Sequence, residues 1–256
     1  MKIIVITGGC GLLGWEFANS LAIEKNKIFI LDNSTKKIRF RKKNNKKKNI
    51  FFYNCDITKK KNVTNIVLKI IKENRKIDIL INNACINYTP KNKGKLDVNS
   101  FVDFDINRFD KEIDVGLKGA VICAQIIGKN MLKHKKGSII NIGSDLSVKA
   151  PDQSLYTHLN ITKPFTYSII KSAIHGLTLY LASLWGGKGI NVNTLSPGGI
   201  YDFQDKTFLK KVNKKIPIGR MAKSDEYNEI IKFLCSDGSR YMNGHNLIFD
   251  GGRTII

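Results

Sequence analysis

Short runs of isoleucine, valine and phenylalanine recur along this chain, separated by longer stretches in which apolar residues return every three or four positions. The first pattern predicts strands buried on both faces, and the second predicts amphipathic helices. Strands are predicted at Lys2 to Thr7, Lys27 to Leu31, Ile50 to Asn54, Ile77 to Asn82, Gly137 to Ile142, Ile190 to Leu195 and Asn246 to Asp250. Helices are predicted at Leu12 to Glu24, Thr58 to Asn74, Phe109 to His134, Pro164 to Trp185 and Asp225 to Ser236, the last introduced by Ser224 as N-cap. Their alternation predicts an α/β fold of the Rossmann-like, doubly wound kind, a seven-stranded parallel sheet with helices on both faces. No linker rich in Pro, Gly or Ser divides residues 1–256, so one domain is expected. Two stretches, 145–163 and 201–222, break the rhythm. Ligands of such sheets sit beyond the C-terminal strand ends, so both are expected to be substrate loops.

Composition narrows the classes. The opening apolar run Lys2-Ile3-Ile4-Val5-Ile6 is too short for a signal peptide, and no stretch is long enough to span a bilayer, so a soluble cytoplasmic protein with no membrane partner is expected. Cys10, Cys55, Cys85, Cys123 and Cys235 stand singly, which points to reduced, mostly buried thiols and to neither metal ligands nor disulfides. A net charge of +22 raises the question of a polyanionic partner. Much of it lies in Lys36 to Lys48 with little aromatic interleaving, the pattern of a solvated basic loop, so nucleic acid is not the expected partner.

Directly after the first strand, Thr7-Gly8-Gly9-Cys10-Gly11-Leu12-Leu13-Gly14 holds a G-x-G-x-x-G at Gly9, Gly11 and Gly14 and runs into a helix. Glycines there supply a tight turn, close approach of backbone to a pyrophosphate and close helix-to-strand contact, while the helix N-terminus offers free N–H donors. Asp32 ends the second strand, where a carboxylate accepts from both adenosine ribose hydroxyls and repels a 2′-phosphate. The expected cofactor is NAD rather than NADP. The cations from Lys36 onward, folded back, would argue the other way.

The chain resembles the short-chain dehydrogenase/reductase family, single-domain branch, over nearly its full length. The likeness rests on Asp78-Ile79-Leu80-Ile81-Asn82-Asn83-Ala84, Cys55-Asp56-Ile57, Asn141-Ile142-Gly143-Ser144, Tyr167-Ser168-Ile169-Ile170-Lys171, Asn193 to Ile200 and Asp250-Gly251-Gly252. It implies Ser144, Tyr167 and Lys171 as the catalytic group. It further implies cofactor contacts from Gly8, Gly9, Gly11, Leu13, Gly14, Asp32, Asp56, Ile57, Asn83, Ala84, Tyr167, Lys171 and Ile200, with no metal. Asp56 and Ile57 are expected at adenine, Asn83 and Ala84 on the ribose side, and Ile200 at the carboxamide. The resemblance also implies a homodimer or homotetramer built on the helices Phe109 to His134 and Pro164 to Trp185.

Chemistry agrees with that implication. Tyr167 and Lys171 lie one helical turn apart and project from one face. The ammonium is expected to favour the phenolate, making Tyr167 an acid or base near neutral pH while Ser144 donates to the same substrate oxygen. Two positions depart from the family pattern. Gly116 stands where the family usually has an asparagine of the proton relay, and Leu12 replaces a usual glycine.

The interval between Ser144 and Tyr167 is longer than is usual in the family and carries Asp152, Gln153, Tyr156, His158 and Asn160. It resembles members linked to surface-sugar and flagellin-glycan biosynthesis. A small hydroxylated or carbonyl substrate is therefore expected, a sugar or sugar-phosphate, with Lys206, Lys210, Lys211 and Arg220 in the second loop suited to a phosphate or simply an exposed lysine-rich helix. Two alternatives stand beside it. One is a 3-oxoacyl, lipid-like carbonyl, which predicts an apolar lid that the polar insertion contradicts; the other is a catalytically impaired NAD-binding regulator, motivated by Gly116.

Overall fold

The computed structural model describes residues 1–23, 25–87 and 101–256. Seven strands, β1 (Ile3–Thr7), β2 (Lys27–Asp32), β3 (Ile50–Asn54), β4 (Ile79–Asn82), β5 (Gly137–Ile142), β6 (Ile190–Pro197) and β7 (Asn246–Phe249), form one sheet in the order β3-β2-β1-β4-β5-β6-β7. Every pairing is parallel. The chain leaves β1 in one direction and β4 in the other, which places the crevice for a ligand above these two strands.

Period-two alternation sends the strand side chains into two cores. Ile3, Val5, Phe29 and Leu31 face one layer with Val67, Ile70, Ile127 and Trp185, whereas Ile4, Ile6, Ile28 and Ile30 face the other with Phe17, Tyr227 and Ile231. The first layer is built by α3 (Lys60–Asn74), α5 (Gly119–His134) and α6 (Phe165–Trp185), and the second by α1 (Leu12–Leu21) and α8 (Asn228–Leu234). Glu24, the predicted end of the first helix, lies outside the described residues. All five cysteines are free, and four of them are buried. No helix among the described residues is long and apolar enough to cross a membrane.

Three expectations about elements need correction. The basic run is largely helix rather than loop: α2 (Thr35–Asn44) starts where Ser34 accepts from the Lys37 amide at 3.3 Å, and it buries Ile38. Arg41, Lys42 and Lys43 lie in its last turn, where cations complement the helix dipole. The long helix predicted from Phe109 is broken into α4 (Ile106–Ile113), a π-helical turn (Asp114–Lys118) and α5. In the second loop, α7 (Lys206–Asn213), capped by Asp205, is the lysine-rich helix that stood as one of the two readings there. Finally, the last helical stretch is capped not by Ser224 but by Glu226, whose carboxylate accepts from the Lys223 amide at 2.7 Å.

Candidate active site

The glycine loop fits a dinucleotide, though its glycines divide the work differently from the motif-based expectation. Gly8 is the one in the left-handed region, at φ +61°, and a Cβ there would sit 2.8 Å from Ala84 Cα. Gly9 and Gly14 lie behind the loop: a Cβ would meet Ile30 Cγ2 at 2.7 Å in one case and Gly8 O at 2.5 Å in the other. Asn83 braces the turn by donating from Nδ2 to the carbonyls of Thr7 and Gly8, both at 3.1 Å. Gly11 is the N-cap of α1 and brings no side-chain acceptor, so the amides of the first turn keep their hydrogen-bonding capacity for a pyrophosphate.

A single cavity of about 620 Å³ runs from this loop to Ser144, Tyr167 and Lys171. Gly8, Gly11, Leu12 and Leu13 line one end, followed by Asp32, then Asp56 with Ile57, then Asn83 with Ala84, and Ile200 further in. Asp32 is buried at the tip of β2 and accepts from the amides of Cys10 and Ser34, each at 3.0 Å. Asp56 accepts from the amide of Thr58 at 3.0 Å and from its hydroxyl at 2.7 Å. The basic helix does fold back onto this end. Lys37 lines the cavity, and Arg41 donates to Cys10 O at 3.4 Å with its guanidinium 4.8 Å from the Trp15 ring. Acid and cations therefore meet at this end of the cavity.

At the other end β5 delivers Ser144 and α6 delivers Tyr167 and Lys171. Ser144 Oγ donates to Asp145 Oδ1 at 2.9 Å and accepts from the Leu146 amide at 3.2 Å. Lys171 Nζ is buried, donates to Ile142 O at 2.7 Å and lies 5.5 Å from the centre of the Tyr167 ring. Burial pushes the Tyr167 phenol well above the usual tyrosine range, and a hydrogen bond with Ser144 only partly opposes it. The balance expected from Lys171 is thus reversed in the protein by itself: desolvation wins and Tyr167 holds its proton.

Gly116 is buried in the π-helical turn, and a Cβ there would lie 2.6 Å from Ile170 Cγ2 and 3.6 Å from Cys85 Sγ. The space an asparagine side chain would need is filled by α6. The residue thus has a packing reason.

Four participants escaped the sequence reading: Lys163, Asn87, Asp145 and Arg253. Lys163, 9% exposed, places Nζ 4.1 Å above the Tyr167 ring and donates to Asn87 Oδ1 at 2.6 Å. Burial pushes its ammonium down to about 8. Asp145 beside Ser144 is held in a buried ion pair by Arg253. A lysine before a proline reads as a solvated loop residue; the available signal was its spacing from Tyr167, one helical turn on the side opposite Lys171.

Of the polar residues expected near the substrate, Tyr156 lines the cavity and the others hold the loop. Asp152 accepts from Ser154, Gln153 clasps the backbone of Lys163, His158 Nε2 pairs with Asp205 Oδ1 at 3.0 Å, and Asn160 turns the chain at φ +52°. Lys211 ties α7 to this loop through Ser154 O, and Arg220 pairs with Glu226, so these two expected cations serve the scaffold; Lys206 and Lys210 are exposed. The facing wall is apolar, with Leu155, Phe208, Val212 and Met221 drawn from a small buried cluster. The expectation that the insertion precludes an apolar lid is corrected by Leu155.

A split parallel sheet whose crevice connects an uncapped, glycine-opened helix to a buried phenol defines a dinucleotide-dependent oxidoreductase. Comparison with known proteins agrees. A family model described as enoyl-(acyl carrier protein) reductase matches residues 11–254. The chain is 32% identical over 259 aligned positions to an NAD-dependent glycerol dehydrogenase of Listeria innocua, covering 99% of this chain and 94% of that one. It is 28% identical to post-translational flagellin modification protein A of Campylobacter coli, covering 98% and 97%. Among solved structures, a short-chain dehydrogenase of Leptospira borgpetersenii with bound NAD+ superposes with a TM-score of 0.87 at 31% identity, covering 99% of this chain and 92% of that one. The chain belongs to the short-chain dehydrogenase/reductase family and is an oxidoreductase acting on CH–OH groups.

Proposed function

We propose that this protein moves a hydride between NAD and a carbonyl or alcohol carbon of a small hydroxylated substrate, a polyol or sugar derivative, in the cytoplasm and as a homodimer or homotetramer. The observation that carries the reading is the one cavity in which Asp32 and Ser144, Tyr167 and Lys171 lie at opposite ends. When bound, the dinucleotide supplies or accepts the hydride. Asp32 would hold the adenosine ribose, the first-turn amides of α1 the pyrophosphate, and Lys171 the nicotinamide ribose. In the reductive direction Tyr167 gives its proton to the developing alkoxide, and its burial suits it to arrive protonated. Ser144 has a single hydroxyl proton, shared with Asp145, so it must turn from that carboxylate to donate to the substrate oxygen.

The similarity to a glycerol dehydrogenase and a flagellin modification protein supports a polyol or surface-glycan sugar as substrate. The apolar wall of Leu155, Phe208, Val212 and Met221 favours a second reading, a 3-oxoacyl carbonyl. A panel of polyols, sugars, sugar phosphates and 3-oxoacyl thioesters separates the two. Fluorescence titration should give tight NADH and weak NADPH binding. Tyr167→Phe should lose turnover while keeping NADH affinity; wild-type turnover in that variant overturns the assignment.

A further inference from the structure

The catalytic phenol has cations on two sides, and the function so far uses only one. Lys171 approaches Tyr167 from the following helical turn and Lys163 from the preceding one, with Nζ atoms 5.5 Å and 4.1 Å from the ring centre. Lys163 is the nearer. It is also fixed: Gln153 accepts from its amide at 2.9 Å and donates to its carbonyl at 3.1 Å, and Asn87 accepts from Nζ. Pro164 follows as the N-cap of α6, so the lysine is rigidly joined to the helix that carries Tyr167. A buried cation over an aromatic ring is attracted to the neutral phenol, and far more strongly to the phenolate.

We propose that Lys163 is a positioning residue for proton transfer, an ammonium that compensates the Tyr167 phenolate formed when the phenol gives its proton to the substrate alkoxide. This rests on the oxidoreductase reading of the same site. Among the described residues, the groups facing Lys163 include Cys85 after β4, Asp145 after β5, Glu112 of α4, and Tyr167 and Lys171 of α6. Asp145 is engaged by Arg253 and Glu112 by Arg108 and Thr166, so both carboxylates have other partners. Desolvation makes the amine easy to discharge, to about 8, and a neighbouring phenolate reverses this by holding the proton on. The pair therefore stabilises the charged state of each member.

The test is an ultraviolet phenolate difference titration of the NAD+-loaded protein, with Tyr167→Phe subtracted to isolate one of the eight tyrosines. Lys163→Met and Lys163→Gln, the second keeping a donor for Asn87 without charge, should raise the Tyr167 ionisation by about one to three pH units, the range an opposite charge at this separation produces. Lys163→Arg, charged at every accessible pH, should restore it. The positive charge of the oxidised nicotinamide opposes the desolvation that keeps the phenol protonated in the protein by itself, which is why the loaded protein is titrated; in that state a Tyr167 titration unchanged in both neutral variants, or a wild-type Tyr167 that stays protonated across the folded range, overturns the proposal. A shifted titration with no turnover on any alcohol supports the role of Lys163 and counts against the proposed function alone.

Discussion

Asp32 carries two duties with one carboxylate. It takes the amides of Cys10 and Ser34, which ties the glycine loop to the tip of β2, and it still lines the cavity. Asp32→Asn keeps an acceptor for one of these two amides, since Oδ2 serves Cys10 and Oδ1 serves Ser34, and removes the charge, so the tie to the glycine loop should weaken while the repulsion toward a 2′-phosphate disappears. Lys37 and Arg41 are then left to attract that phosphate. The ratio of NADPH to NADH dissociation constants should fall by roughly tenfold or more, equivalent to ~1.4 kcal/mol; an unchanged ratio in fluorescence titration sinks the ribose role. Asp32, the glycines, Ser144, Tyr167 and Lys171 were legible in the sequence because their chemistry is set by local spacing or by a strand end. Asn87, Asp145 and Arg253 were not, because what matters about each is a neighbour far along the chain, and Lys163 was not, because a lysine before a proline reads as a solvated loop residue. Arg253 and Asp145 meet only once β5 and the C-terminal turn are packed together.

At the level of elements, the strands were readable and the helices less so. An apolar run buried on both faces has one interpretation in an alternating chain, whereas α2 hides a single buried isoleucine among lysines and its pattern reads as polar. The π-helical turn has no sequence signature at all, since nothing in composition marks the change from i−4 to i−5 bonding. Gly116 shows what the turn achieves. Alanine at a helical glycine normally gains up to about 1 kcal/mol, but here the new methyl would run into Ile170 Cγ2 at 2.6 Å, so overpacking of α6 dominates. Gly116→Ala should lower stability by ~1–3 kcal/mol in denaturant unfolding, with Ile170→Val recovering part of it. A stabilised alanine variant would refute the packing role. In α7 the lesson is similar: Leu155, Phe208, Val212, Ile216 and Met221 make a small core of their own, separate from those of the sheet. Leu155→Ala should therefore leave NADH affinity intact while raising substrate KM and speeding proteolysis within 201–222. If both stay at wild-type values, the insertion does not support the lid.

The whole molecule poses a conflict between its charge and its surface. One side of α6 leaves Ile169, Leu179, Tyr180 and Leu184 exposed, and Gly176 between them has open space where a Cβ would be. Phe101, Val102 and Ile106 extend the apolar band past the start of the helix, Val102 being 87% exposed, with Phe101 against Phe165 at 4.8 Å between ring centres. A band of this kind fits the association surface that the proposed dimer or tetramer needs, and a flat glycine step lets two copies of one helix approach closely. Against this stands a net charge of +22 on every copy, which makes association repulsive at long range. The two effects differ in how they respond to salt. Repulsion is screened over a Debye length of about 8 Å at ~0.15 M, while burial of apolar surface is not weakened. Sedimentation should accordingly show a dimer or tetramer at micromolar protein that tightens as salt rises from low to physiological strength. Leu184→Glu should give monomers that still bind NADH, because the cavity lies at the strand ends and not on this face. A wild-type protein that stays monomeric at physiological salt, or one that dissociates as salt is added, would mean that charged contacts and not the α6 band govern assembly.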